Sequence, residues 1–165
     1  MSSSKMGLAV FLALVGCGPA LGEEPPIPVA VFPFTITDNS GSPSTGQPER
    51  LAAATALLAG RLLATGKYKP VDLTPYAGEM AKMQPPDECG TCWADLARKA
   101  GAKLEFVPSV QKVSVLISQM TIWVADVKTL KYTAHIQGQI RGDTSEAYTH
   151  GVEFLIGDAL GKHEI

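Results

Sequence analysis

Apolar and polar positions change their period several times along this chain, and each change marks an element. Val29-Ala30-Val31-Phe32-Pro33-Phe34 is a short run of β-formers, which predicts a buried first strand ending at Pro33. Asp38 to Pro48 is built from Ser, Gly, Pro, Thr, Asn, Asp and Gln and predicts a flexible loop. Leu51, Ala54, Leu58 and Leu62 recur at helical spacing, so Glu49 to Thr65 is predicted as a helix closed by Gly66. Tyr68 to Leu73 reads as a second short strand. Thr74-Pro75 then opens a short helix, with threonine as N-cap and proline at the first helical position. Gln84 to Gly90 is a loop, and Thr91 to Ala100 a helix ended by Gly101.

Three longer strands are predicted next, over Leu104–Val113, Leu116–Val127 and Tyr132–Arg141. In the middle one, Ile117, Gln119, Thr121, Trp123 and Ala125 share one face, and Met120, Ile122 and Val124 the other. The third alternates Thr133, His135, Gln137 and Gln139 with Ala134, Ile136 and Ile140. Such alternation predicts antiparallel strands with one wetter face. Glu146 to Leu160 closes the chain as a helix, capped by Asp143, Thr144 or Ser145. The order β-α-β-α-α-β-β-β-α predicts an α/β (α+β) single-domain sandwich over residues 29–161, on a mixed sheet of about five strands.

The N-terminal segment follows a different logic. Lys5 precedes an apolar run from Met6 to Val15. That run is shorter than the about 20 residues of a membrane span and matches the apolar region of an export signal. Two cleavage sites compete within residues 1–22. Leu14-Val15-Gly16-Cys17 resembles a bacterial lipobox, in which Cys17 is acylated and becomes the new N-terminus. Ala20-Leu21-Gly22 reads as an ordinary signal-peptidase site. Residues 23–28, Glu-Glu-Pro-Pro-Ile-Pro, form a stiff tether. The expected address is the periplasm. Gly18 follows the cysteine, with no aspartate there to retain the protein at the inner membrane, so an anchored form is expected at the outer membrane.

Composition narrows the function classes. With 45% hydrophobic and 18% charged residues the chain is globular rather than disordered. It carries 14 Lys and Arg against 16 Asp and Glu, and loss of Lys5 with the signal makes it more acidic still. That balance argues against nucleic acid, which needs a basic patch. Membrane contact is expected only through the lipid anchor.

The early Val-Ala-Val-Phe-Pro-Phe strand, the polar loop and helix after it, and a later strand ending in Asp126-x-x-Thr129 together carry a resemblance. They look like the domain shared by the N-terminal part of the TolB protein, the curli secretion channel subunit and some penicillin-binding-protein activator lipoproteins. Those proteins usually have glycine where this chain has Leu130. A closer resemblance is to an uncharacterised family of small exported proteobacterial proteins, a domain of unknown function. It rests on the same start, on Val71-Asp72-Leu73, the Cys-x-x-Cys helix, Gln111-Lys112-Val113-Ser114 and Arg141-Gly142-Asp143-Thr144, and it covers about residues 28–156. The resemblance implies fold and location but no activity. Relatives of the wider fold work as envelope assembly or accessory factors. This implies a non-catalytic protein that acts on an envelope protein partner.

Candidate chemistry is sparse. Cys89-Gly90-Thr91-Cys92 is the sharpest feature, since Cys89 and Cys92 are the cysteines that remain once Cys17 is acylated or removed. The pair reads as a structural disulfide. The alternative is a thiol–disulfide site, because a helix N-terminus lowers a thiol's pKa. Trp93 follows the pair, where covalent haem would want histidine, and no second pair completes a zinc site. His135, His150 and His163 are scattered and read as surface or satisfied core residues. Ser40, Ser42 and Ser44 sit in a loop without a nucleophile elbow. Asp38, Asp72, Asp126 and Asp143 fall at strand ends, where turn chemistry accounts for them. Arg141-Gly142-Asp143-Thr144 reads as a strand-to-helix turn, with Arg141 also a candidate for pairing with a partner's carboxylate. Gln119, Thr121 and Trp123 form a stripe that binds a partner if helices cover only the other face of the sheet, and that packs in a core if they do not. No enzyme, cofactor or metal is expected. A small-molecule or metal carrier is a third reading, which would require a well-formed pocket.

Overall fold

The computed structural model describes residues 24–42, 45–85 and 88–162, with side chains to residue 158. The export signal and Cys17 lie outside them. Six strands and four α-helices follow in the order β1 (Ile27–Val31), β2 (Thr35–Asp38), α1 (Gln47–Ala64), β3 (Tyr68–Pro70), a 3-10 turn (Thr74–Tyr76), α2 (Ala77–Met80), α3 (Cys92–Lys99), β4 (Leu104–Lys112), β5 (Ile117–Asp126), β6 (Tyr132–Arg141) and α4 (Ser145–Lys162). All six strands join one mixed sheet, ordered β3-β1-β4-β5-β6, with β2 also on β4. β1 pairs parallel with β3 and β4, while β4-β5-β6 is an antiparallel meander.

β2 is the element the sequence reading lacked. β1 and β2 are two halves of one line along β4. Val29–Val31 pair with Leu104–Phe106, and Thr35–Asp38 with Ser109–Lys112. Pro33 breaks the line between them, and Pro108 falls at the same level of β4. Neither proline has an N–H to give to a ladder. Thr35-Ile36-Thr37 is β-branched but too short to stand out after a proline, and only the partner strand makes it a strand. The tether is also shorter than its composition suggested. Ile27 and Pro28 pair with Tyr68 and Lys69, and the Pro28 carbonyl accepts a hydrogen bond from Lys103 N at 2.8 Å. At the other end of β3, Asp72 rather than Thr74 tightens the entry to the 3-10 turn, its carboxylate accepting from Thr74 N at 2.9 Å.

The sheet is unequally covered. On one face α1 and α4 bury the main core, in which Leu58, Leu62, Val152 and Leu155 pack on Val29, Val31, Phe106, Met120, Ile122 and Ile136. Burial of this kind contributes about 1.5–3 kcal/mol for each large apolar side chain. α4 sits so close to the sheet that a Cβ on Gly151 would lie 2.5 Å from Ile140 Cγ2. The opposite face has a smaller core, where Ala30 and Phe32 meet Leu73, Trp93, Leu96 and Ala97. β1 therefore buries alternate residues on both faces, which is why its sequence reads as an unbroken apolar run. The second layer stops at β4. On β6 the outward Thr133, His135, Gln137, Gln139 and Arg141 are all exposed.

Candidate functional site

The uncovered face is ordered in cross-strand rows. Gln111, Gln119 and Gln139 stand side by side, next to a row of Ser109, Thr121 and Gln137 and a row of Val107, Trp123 and His135. Arg141 lies opposite Ile117 on this same face. The four residues singled out for interaction, Gln119, Thr121, Trp123 and Arg141, thus form one continuous stripe. Trp123 is 37% exposed, so the stripe is not a hidden core. Its indole is held by its neighbours. The His135 ring stacks on it at 3.7 Å with planes 8° apart, and Tyr132 lies 5.0 Å away at a tilt. Neutral amides and hydroxyls around a fixed aromatic cost less to desolvate than charged groups would.

At the far end of the stripe the β4–β5 hairpin carries Val113, Val115, Leu116 and Ile117, all exposed, with Leu116 at 68%. Pattern reading placed Val113, Leu116 and Ile117 on strands, with Val115 between them, and missed that all four crown an uncovered tip. β1 begins at the opposite end of the sheet, because Val29 is level with Leu104 at the start of β4. The tether and the apolar tip therefore point in opposite directions.

Beside the stripe, the sheet on one side and Met80, Met83, Pro85, Gly90 and Trp93 on the other line an open groove of about 940 Å³. Trp93 and Trp123 both line it. On its floor, Glu105 is only 8% exposed, and its Oε2 has no hydrogen-bond partner. Burial raises its carboxyl to about 7, while Arg98 pulls it down and Asp95 pushes it up. Sequence reading passed over Glu105, since one acid in an apolar strand has no motif; its signal was that it falls between Leu104 and Phe106.

The remaining candidate residues are placed as follows. Cys89 and Cys92 are placed together as a disulfide, with Cα atoms 5.8 Å apart. Both are half-buried and pack against the smaller core at the start of α3. The Asp38 carboxylate accepts from Ser40 N and Oγ, and that of Asp126 from Lys128 N and Thr129 N. These turn bonds hold both carboxyls below their ordinary range. Asp143 does more than close a turn. It pairs with Arg50 of α1 and with Lys112 of β4, each at 2.8 Å, and Lys112 is fully buried. Gly142, at φ 91°, makes the bend that sends Asp143 inward, and Thr144 Oγ1 caps α4 by accepting from Ala147 N. His135 is spent on Trp123, and His163 lies outside the described residues. No group of three or more metal-ligating side chains occurs among the described residues. No described helix is long and apolar enough to cross a membrane.

Several solved structures share this fold. The C-terminal domain of LpoB from Salmonella enterica superposes with a TM-score of 0.51 at 19% identity, covering 70% of this chain and 82% of that one. Lipoprotein GNA1162 from Neisseria meningitidis gives 0.52 at 14% identity, over 83% and 99%. The PelC dodecamer from Paraburkholderia phytofirmans gives 0.50 at 15%, over 84% and 89%. At such identities the likeness is one of fold. No curated protein matches the sequence. A family model described as "Protein of unknown function (DUF2380)" matches residues 28–160, nearly the whole described domain, so the chain belongs to that family, DUF3280.

Proposed function

We propose that this protein is a non-catalytic accessory factor of the cell envelope that works by binding another protein through the uncovered face of β4, β5 and β6. The observation that carries this reading is the continuous stripe from Trp123 to Arg141, left bare by every described helix and running into the exposed Val115-Leu116-Ile117 tip. The address rests on the export signal. One protein with this fold is itself a lipoprotein, which agrees with acylation at Cys17. The described chain enters the sheet at the end opposite the apolar tip, which leaves the tip free to meet a protein. The packing of Cys89 and Cys92 against the smaller core supports a structural role for the pair in an oxidising compartment.

The test is site-specific photocrosslinking in intact cells. A crosslinker at Gln137, on the open face, should trap one discrete protein adduct, and Trp123→Ala combined with Leu116→Asp should abolish it. A crosslinker at Ala56, on the exposed side of α1, should trap none. Equal adducts from both positions, or none from Gln137, overturn the reading.

A further inference from the structure

The groove beside the stripe sets one buried acid among methionines and aromatic rings. We propose that the groove is a recognition site for a cationic side chain, a lysine or arginine, presented by the protein partner; this deepens the reading of the open face as a protein-binding surface and rests on it. Glu105 lies on the floor with a buried, unpartnered Oε2. A buried carboxylate without a donor costs free energy until a donor arrives. Arg98, the cation whose charge acts on Glu105, is committed elsewhere. The Arg98 guanidinium donates to the Val127 carbonyl at 2.6 and 3.2 Å and to Asp95 at 2.8 Å.

The walls fit the rest of such a side chain. Met80 and Met83 offer adaptable apolar surface for an alkyl stem, and Trp93, Trp123 and Tyr132 offer aromatic rings to the charge. These rings are already in place. Trp93 donates its indole N–H to the Gln84 carbonyl at 3.0 Å and sits edge-on to Phe32, while Trp123 is fixed by His135 and Tyr132. A preorganised wall loses little entropy on binding. The guest comes from a protein rather than from free solution because Trp123 belongs to both groove and stripe. A chain lying along the stripe passes the mouth of the groove and has one long side chain to insert. Burial holds a proton on part of the Glu105 population near neutral pH, and an arriving cation displaces it.

The chain has two tryptophans and both line the groove, so indole NMR signals report on this site. The test titrates the disulfide-intact domain with N-acetyl-arginine methylamide and N-acetyl-lysine methylamide, using N-acetyl-norleucine methylamide as the neutral control. Both cationic probes should shift the indole N–H signals of Trp93 and Trp123 saturably, and more tightly at pH 8 than at pH 6. The neutral probe should bind at least about tenfold more weakly, as should either cation to a Glu105→Gln variant. Loss of the pH dependence in that variant would place the effect on Glu105 itself. Equal binding of the neutral probe, unchanged binding to Glu105→Gln, or no saturable shift overturns the proposal. None of these outcomes touches the crosslinking result, so failure of the cation site and failure of the protein-binding face are distinguishable.

Discussion

Lys112 Nζ lies 2.8 Å from Asp143 Oδ2, and this contact joins the end of β4 to the turn that starts α4. Asp38 adds a second carboxylate at 3.4 Å, and Arg50 takes the other oxygen of Asp143. The bond to Asp143, and then its charge, hold the Lys112 ammonium above its ordinary pKa. Stability from this raised pKa is fully present below the unfolded value of lysine and is lost as pH rises past it. Asp143→Ala takes the nearer carboxylate from buried Lys112, leaving Asp38 at 3.4 Å, and should lower Tm by about 5–10 °C. Adding Lys112→Met should recover part of that loss, because the fully buried ammonium that Asp143 served is then gone. Thermal melts of the two single variants and the double variant check this.

Gly151 and Gly157 both sit in α4 and should respond oppositely to alanine. A Cβ at Gly151 runs into Ile140 and Met120, whereas at Gly157 it meets nothing within 4 Å. Gly151→Ala should destabilise by about 1–3 kcal/mol, because the tight packing on β5 and β6 must open. Gly157→Ala should stabilise by about 0.5–1 kcal/mol through helix propensity alone. Urea unfolding at one temperature separates the two.

Leu130 has φ 58°, the one described residue other than glycine with positive φ. A leucine there carries strain of about 1 kcal/mol or more, set against the entropy that a glycine frees in the unfolded chain. Leu130→Gly should therefore leave stability unchanged or raise it by up to about 1 kcal/mol. Leu130→Val should lower it, since a β-branched side chain fits this backbone worse. Urea midpoints of the two variants decide it.

Glu105 makes stability depend on pH in an uncommon direction for an acid. Its carboxyl is raised from 4.5 to about 7, with burial the main cause. The folded state thus holds a proton that the unfolded state gives up. This contribution is complete below pH 4.5 and is lost as pH rises through 7. Because the groove is open to solvent, the loss should be on the order of 1–2 kcal/mol rather than the full value of the shift. Glu105→Gln should flatten this decline and be the more stable protein at pH 8. A pH series of urea midpoints measures it.

Replacing both Cys89 and Cys92 by serine opens a four-residue loop closed in the native state. Loop-closure entropy puts the cost at about 2 kcal/mol. Crosslinking from Gln137 should survive at low temperature. Wild-type stability together with lost function in the cell would instead favour a redox role for the pair.

The amino-acid sequence alone determined the elements with strong periodicity. The faces of β5 and β6 follow from strict alternation, the buried face of α1 from its leucines, and the turn roles of Asp38, Asp72 and Asp126 from short-range hydrogen bonds that need no partner element. The stripe of Gln119, Thr121 and Trp123 was legible for the same reason, since residues two apart on a strand share a face, whereas Arg141 joins it only through the pairing of β6 with β5. Tertiary structure decided what depends on distant segments. Whether that stripe is core or surface turned on where the second helical layer stops. β2 exists because β4 lies beside it, and Asp143 became a buried ion bridge because α1 brings Arg50 to it across 93 positions. Glu105 gained its unusual acidity from the walls around it. Local preferences are written in neighbouring residues, while burial and charge pairing are set by segments that meet only when the chain folds.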